Sequence, residues 1–449
     1  MENSTNQIVL LGGGYASIWA YRALVNELMI EMIMGLVRIK VICPEEFHFF
    51  HGWTAESLTG IIQDHNRMSP LKEVFEHAEI IKGKAVRVDH VTRLVYVELN
   101  NGTNCEVPYN QLLLGMGSAD SNSVDGLAEH AYQLKSHSGY LRTKMRIQFL
   151  VRQASEADPF TAQQLFRFVV AGCGYTGIEI AANLAEMIIV QKKQYPALRH
   201  FIPSIHLINS KDELLPGLDN GFKSMQHYAE KTLGKYGIKI RNQTRINRVT
   251  SQGVYLSDGS FIECQMVIST IGQSRIVLEG TDKMERDQEK RVITNSFLQV
   301  KNHNGIWGAG DAVHVTHSKT MNACPANALW AIKQGEHAGK NMVRAILSHS
   351  LKPFIYKGLG QCASLGIGKG LGEIYGFQFT GWFAWIMRWF FFQHFMPSKK
   401  VMWREIKDWF HLLLSGKRID LSMTEKPTLK IFTRERVQPA ELNQLRYQN

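Results

Sequence analysis

Two glycine-rich turns about 160 residues apart constrain this chain more than any other feature. The first, Gly12-Gly13-Gly14-Tyr15-Ala16-Ser17, follows the apolar run Ile8-Val9-Leu10-Leu11. The second, Gly172-Cys173-Gly174-Tyr175-Thr176-Gly177, follows Phe168-Val169-Val170-Ala171. Each turn opens a stretch with helical periodicity. Strand, glycine turn and helix in that order begin a parallel nucleotide-binding sheet. The glycines let the backbone turn tightly and let a pyrophosphate approach, while the helix N-terminus supplies unpaired N–H groups and the positive end of a dipole. Two such units imply two dinucleotides, and a chain that holds two is built to pass electrons between them.

The two turns are not equivalent. Gly12 and Gly14 fill the first two positions of the fingerprint, but Ser17 stands at the third, where Gly or Ala allows close helix–strand packing. The second turn has all three glycines, Gly172, Gly174 and Gly177. A carboxylate at the end of the following strand usually takes the adenosine ribose. In the first unit that position is Cys43, with Glu45 and Glu46 just beyond; in the second it is Asn209, followed by Ser210 and Lys211. Asn209 carries no charge to repel a 2′-phosphate, and Lys211 attracts one, so NADPH is accepted alongside NADH. Alternatively Asn209 hydrogen-bonds the ribose and NADH is preferred; the residues leave both open.

The order of elements sets the expected architecture. Short runs between 80 and 118 end in Leu112-Leu113-Leu114-Gly115-Met116-Gly117-Ser118, a helical pattern covers 135–165, and the second unit begins at Phe168. After more short strands over 236–272, Gly305-Ile306-Trp307-Gly308-Ala309-Gly310-Asp311 leads into a helix near 325–347. The expected fold is α/β, with two Rossmann-like dinucleotide-binding domains. The first is discontinuous, over 1–125 and 295–347, and the second covers 160–290. A C-terminal amphipathic helical region, 350–420, and a polar tail, 421–449, complete the chain.

Six scattered cysteines with no close pair argue against a zinc site, an iron–sulfur cluster or a disulfide framework, and no metal is expected. The start of the chain lacks a basic, long apolar leader, which points to an intracellular setting. The net charge is +11, and from residue 381 onward twelve Lys/Arg face six Asp/Glu, so this last stretch carries over half the excess. It also holds Trp382, Phe383, Trp385, Trp389, Phe390, Phe391, Phe392 and Phe395, then Trp403, Ile406, Trp409, Phe410, Leu413 and Leu414. The run is too short to span a bilayer and Arg388 interrupts it. Read helically, Trp382, Trp385, Trp389, Phe392 and Phe395 share one face, and Trp403, Ile406, Phe410 and Leu413 another. Basic helices with Trp and Phe lie flat in a membrane interface, so residues 382–414 are expected to dock on a membrane surface and not on nucleic acid. A homodimer contact is the alternative, and the two are compatible.

Gly308-Ala309-Gly310-Asp311 resembles the segment with which two-dinucleotide flavoproteins hold FAD, and Gly117-Ser118 resembles their Ala-Thr-Gly-Ser turn, with Gly115 and Met116 in place of Ala and Thr. Within that superfamily the chain resembles the type II NADH:quinone oxidoreductases. Glu46-Phe47-His48-Phe49-Phe50 with Glu56 and Gly60, Leu134-Lys135, Gly177-Ile178-Glu179, Leu214-Leu215-Pro216, Pro353-Phe354-Ile355-Tyr356 and Gly381-Trp382-Phe383-Ala384-Trp385 carry the likeness over about 8–420. The resemblance implies a non-proton-pumping respiratory dehydrogenase, peripheral on the cytoplasmic face of the inner membrane. FAD would sit at Gly12, Gly14, Ser17, Gly117, Gly310 and Asp311, and NADH or NADPH at Gly172, Gly174, Gly177 and Asn209. It also implies that Glu179 orients the nicotinamide or relays protons, against the plainer reading of a first-turn carboxylate on a helix dipole. The family's Ala-Gln-x-x-x-Gln-Gln-Gly motif lines its quinone pocket. Here the segment is Ala328-Leu329-Trp330-Ala331-Ile332-Lys333-Gln334-Gly335, so Leu329 and Lys333 replace two glutamines and Gln334 remains. The acceptor is then a quinone or, with the pocket altered, another molecule. A soluble FAD-dependent reductase and a degenerate nucleotide-responsive flavoprotein are the competing readings.

Overall fold

β1 (Asn6–Leu11), fully buried from Ile8 onward, passes through the first turn into α1 (Tyr15–Ile33) and returns as β2 (Val37–Cys43). This computed structural model describes residues 5–194, 203–215 and 222–416, so the expected polar tail at 421–449 lies outside the described residues. A loop carrying the short helix α2 (Thr54–Leu58) precedes β3 (Glu79–Asp89), β4 (Leu94–Leu99), β5 (Asn104–Pro108) and β6 (Gln111–Leu114). α3 (His137–Glu156), N-capped by the Ser136 hydroxyl, bridges to the second unit. That unit consists of β7 (Arg167–Ala171), α4 (Tyr175–Gln194), β8 (Ser204–Ile208), β9 (Lys239–Arg241) and β10 (Met266–Ser269). The chain then runs through β11 (Ile306–Gly308) into α5 (Ala328–Ile346). It closes with an antiparallel β12 (Gly360–Ser364), β13 (Gly370–Ile374) and β14 (Phe377–Thr380), then α6 (Gly381–His394) and α7 (Lys399–Ser415).

The first sheet has the order β11-β6-β1-β2-β3-β4-β5. Its β11, β6, β1, β2 and β3 pair in parallel, and the β3–β4–β5 edge is an antiparallel meander. The second sheet, β9-β8-β7-β10, is parallel throughout. Leu112, Leu113 and Leu114, and Val169, Val170 and Ala171, are all inaccessible, as strands covered on both faces must be. The late strand β11 completes the first sheet because the whole second unit is inserted between β6 and β11. α5 then lies directly on α1. A Cβ on Gly335 would stand 2.2 Å from Ala16 O, and one on Gly339 2.5 Å from Ala20 O, so only glycine permits this approach.

The C-terminal hairpin forms the two expected helices but turns part of their apolar surface inward. Trp385, Met396, Val401, Trp409 and Leu412 face inward and join Phe50, Trp53, Ile61 and Ile62 in one apolar cluster. Phe392 meets the Trp53 ring edge-on at 4.9 Å, and Trp385 meets Trp409 at 5.1 Å. Half of the face expected to be presented outward is therefore spent on the loop after β2, which offers an apolar floor that periodicity along α6 cannot reveal. The apolar side chains left exposed are Trp382, Phe383 and Phe390 on α6, and Trp403, Phe410, Leu413 and Leu414 on α7.

Candidate functional site

Both glycine turns combine left-handed backbone with open space at the start of the following helix. Gly12 and Gly172 lie at φ +94° and +104°, where side chains are strained, and a Cβ on Gly12 would stand 2.9 Å from Gly115 O. In front of Gly14 and Gly174 there is open space, and the Gly14 N-cap of α1 gives its first N–H groups no side-chain acceptor. Those amides are free for an anion. Gly177 packs so tightly that a Cβ would come within 1.9 Å of Gly172 O. Ser17, the misfit of the first turn, is buried, and its hydroxyl donates to Leu11 O at 3.3 Å. A Cβ at position 115 would collide with Ser17 Oγ at 2.5 Å. The serine at 17 and the glycine at 115, both departures from the family pattern, thus occupy one space and fit only together. His48 closes the turn from behind, with Nδ1 donating to Gly13 O at 3.2 Å; burial holds it down to about 4, so the ring stays neutral.

Asp311 lies where three segments meet. Its Oδ2 is 2.8 Å from Ser118 Oγ, beside Gly117 at φ +69°, and 3.8 Å from Lys135 Nζ. Lys135 also reaches Ser118 Oγ at 2.5 Å and Gln273 Oε1 at 2.6 Å. Gly310, at φ +75°, donates its N–H to Gln334 Oε1 at 2.8 Å, which places Gln334 in the core beneath the Gly-Asp segment. Leu329 is buried near the start of α5. Lys333 instead turns to a surface groove with Lys340, His337, Phe354 and Tyr356, where Glu336 takes it at 3.3 Å. Of the three residues expected to line the acceptor pocket, Lys333 thus faces a surface groove and Gln334 the core.

At the end of β8 the Asn209 side chain is turned into the protein. Its Nδ2 donates to Glu213 O and Asn242 Oδ1, both at 2.9 Å, and its Oδ1 accepts from Lys211 N at 3.1 Å. Asn209 shapes this corner, while the Lys211 side chain is exposed beside it.

The most heavily charged buried point joins three distant segments. Arg388 of α6 donates to Glu56 Oε1 of α2 at 2.8 Å, to Gly52 O at 2.9 Å, and contacts Glu179 Oε1 of α4 at 2.9 Å. Glu179 also accepts Ser364 N–H at 2.9 Å. The guanidinium is 1 % exposed and lies over the Phe392 ring at 4.4 Å. Burial lifts Glu179 to about 7 against the pull of Arg388, with the Glu56 charge adding to the rise, and the Arg388 guanidinium is held charged by both carboxylates. One cation between two carboxylates leaves room for one proton, and Glu179 is poised to gain or lose it near neutrality. From sequence, Arg388 was only an interruption of an aromatic run; a lone charge on the inward face of that run was the available signal.

The cysteines nearest the two glycine turns and the charge cluster are unsuited to thiolate chemistry. Burial raises Cys324, beside Gln334, to about 11, and Cys173 and Cys362 to about 12; a reactive thiolate needs the opposite shift. Among the described residues no His/Cys/Asp/Glu group could hold a metal.

The profile of the pyridine nucleotide-disulphide oxidoreductase family matches residues 6–335. A type II NADH:quinone oxidoreductase of Staphylococcus epidermidis is 24 % identical over 391 residues, covering 85 % of this chain and 92 % of the relative. One from Mycobacterium tuberculosis is 26 % identical, covering 97 % and 94 %. A solved structure of NDH2 from Plasmodium falciparum in complex with NADH superposes with a TM-score of 0.82 over 93 % of this chain and 99 % of that one, at 12 % identity. The sulfide:quinone oxidoreductase of Aquifex aeolicus follows at 0.68, covering 91 % and 95 %, at 16 % identity.

Proposed function

We propose that this chain, which belongs to the pyridine nucleotide-disulphide oxidoreductase family, is an FAD-dependent NAD(P)H dehydrogenase that delivers two electrons to a quinone at a membrane surface without moving protons across it. The observation that carries the reading is the Glu56–Arg388–Glu179 cluster. It ties the helix of the second glycine turn to the hairpin that bears the exposed aromatics, so the nicotinamide end and the membrane end of the molecule share one buried charge.

The first turn, with Ser118, Gly310 and Asp311, would hold FAD, and the second turn would hold the nicotinamide dinucleotide. The open ground at Gly14 and Gly174 and the uncapped N-terminus of α1 fit both groups. FAD, when bound, supplies a hydride acceptor that can release its two electrons to a second substrate. The overall reaction, NADH + H⁺ + quinone → NAD⁺ + quinol, takes up one proton from outside the donor. Glu179, near pH 7 in its affinity, is the group suited to hold it. Arg388 stays charged throughout and keeps Glu179 Oε1 in place. Without an acid at 209, and with Lys211 exposed, NADPH is accepted as well as NADH.

Among the described residues no helix is long and apolar enough to cross a membrane. Trp382, Phe383, Phe390, Trp403 and Phe410 would rest in the interface. The buried Leu329 and the outward Lys333 support a second reading, in which the same electron entry serves a different acceptor.

The test is direct. The purified protein should show a flavin spectrum that NADH bleaches without oxygen and a short-chain quinone restores. Absence of flavin would remove the proposal; bleaching that no quinone reverses would leave only the second reading. Flotation with anionic liposomes, lost in a Trp403→Asp/Phe410→Asp variant, tests the membrane assignment.

A further inference from the structure

Arg67 closes the loop after α2 and is 2 % exposed. Among the described residues its guanidinium has no ion-pair or hydrogen-bond partner, and its Nε is buried and unsatisfied. The carboxylate three residues before it makes no ion pair with it: Asp64 Oδ1 takes Lys144 Nζ at 2.8 Å, Tyr140 OH at 2.6 Å and Ser57 Oγ at 2.8 Å, although its charge, like that of Arg67, acts on Tyr140 and His137. Glu56, also nearby in sequence, belongs to Arg388. What touches Arg67 is aromatic. Its guanidinium lies 3.7 Å from the Tyr140 ring centre and 5.8 Å from that of Phe49, which itself stacks on His137 at 4.3 Å. A ring face eases the burial of a cation but does not neutralise it, and a buried charge without a counter-charge is costly enough that native structures rarely keep one.

The surroundings place this orphan beside the first glycine turn. Tyr15, the first residue of α1 after that turn, accepts the His51 N–H at 3.2 Å. Arg67 O accepts the Phe50 N–H at 2.9 Å, and the Phe50 ring meets Tyr15 edge-on at 6.0 Å, which sets Arg67 one ring away from the turn. His51 is exposed to solvent at its edge. Enclosure, then the Arg67 charge, lowers the proton affinity of its ring. Of the nearby cations, Lys144 is held by Asp64 and Lys135 serves Asp311, while Arg67 has no carboxylate within ion-pair distance among the described residues.

We propose that Arg67 is the counter-charge for an anionic group of the bound flavin dinucleotide, either its pyrophosphate or its ring once reduced. This rests on the reading of the first turn as an FAD site. Both groups are acceptors that a guanidinium recognises.

The experiment compares wild-type, Arg67→Met and Arg67→Lys holoenzymes by the FAD dissociation constant, from flavin fluorescence on dilution, and by the midpoint potential of the bound flavin. If the partner is the pyrophosphate, R67M weakens FAD binding at least tenfold and leaves the potential unchanged, because both oxidation states carry the same phosphates. If it is the reduced ring, binding of oxidised FAD is kept and the potential falls by about 30 mV for each tenfold loss in reduced-state affinity. R67K recovers part of either effect. An R67M enzyme with wild-type FAD affinity and potential, whatever its melting temperature, would assign Arg67 to packing on Tyr140 and overturn the proposal. Should R67M not fold, Arg67→Gln carries the same two readouts. A wild-type protein that binds no FAD would remove the FAD reading, and this inference with it.

Discussion

Replacing Arg388 with methionine removes the cation between Glu56 and Glu179 while keeping an unbranched apolar stem against Phe392 and Trp53. Breaking a buried pair by deleting one partner typically costs 3–5 kcal/mol, because the remaining charge is left uncompensated. Here the remaining carboxyls can stay buried only by taking up protons. A glutamate that ionises near 4.3 in the unfolded chain must be neutralised against about 3.2 pH units at pH 7.5 but about 1.2 at pH 5.5. At about 1.4 kcal/mol per unit, the cost is about 4 kcal/mol at the higher pH and about 1.6 kcal/mol at the lower. The sign follows: the unfolded variant releases these protons as pH rises, so its stability falls with pH. Wild type itself takes up a proton at Glu179 below about 7, so the comparison turns on one further buried proton in the variant, and the deficit should shrink by about 2–3 kcal/mol on acidification. Urea unfolding of wild type and R388M at the two pH values measures this. A deficit below about 1 kcal/mol, or one equal at both pH values, would refute the view that Arg388 balances two buried carboxylates.

Glu179→Gln should lower turnover with quinone roughly 10²-fold and erase any inflection near pH 7 in the kcat profile; unchanged steady-state kinetics would take Glu179 out of the reaction. Gly174→Ala should fold normally but raise the KM for the nicotinamide donor, since the new methyl enters open space where phosphate would lie, whereas Gly177→Ala should cost roughly 1–3 kcal/mol against Gly172 O; parallel calorimetry and kinetics separate the two. Burial holds Glu405 up at about 8 next to Gln393, so wild-type stability should decline as pH rises from about 4.5 to about 8, and Glu405→Gln should gain up to about 1.4 kcal/mol per pH unit across that window. A constant difference between the two proteins over pH 5–8 would contradict the burial of that carboxyl. Lys211→Ala should reduce kcat/KM for NADPH about tenfold and leave NADH nearly untouched, by loss of one charge-assisted contact; equal losses would count against a 2′-phosphate subsite.

Much of the architecture was legible because its signals are local. Ile8–Leu11 and Phe168–Ala171 are continuous apolar runs, and continuous apolar runs ahead of Gly-x-Gly form buried parallel strands. The C-terminal hairpin was legible as two amphipathic helices but not as two inward faces, because the apolar floor at Phe50 and Trp53 lies more than 300 residues earlier. The same distance hid the charge cluster: Glu56 and Arg388 are 332 residues apart. Asn209 was legible as a residue without charge, but its inward turn depends on Asn242, which β9 brings alongside.

What the sequence determined alone is the kind of molecule: two strand–turn–helix units in the right order, with glycine where the turn takes left-handed backbone or packs too closely for a side chain. These follow from backbone sterics within six residues and need no partner. What only the tertiary structure decided is which charges meet. Ser17 is acceptable because residue 115 is glycine, Gln334 serves Gly310, Arg388 neutralises Glu56 and Glu179, and among the described residues the Arg67 guanidinium meets aromatic rings and no carboxylate. Each of these rests on a distance of a few ångströms between segments far apart in the chain. Electrostatic energy inside a protein depends on that distance and on burial, neither of which is written in the local sequence.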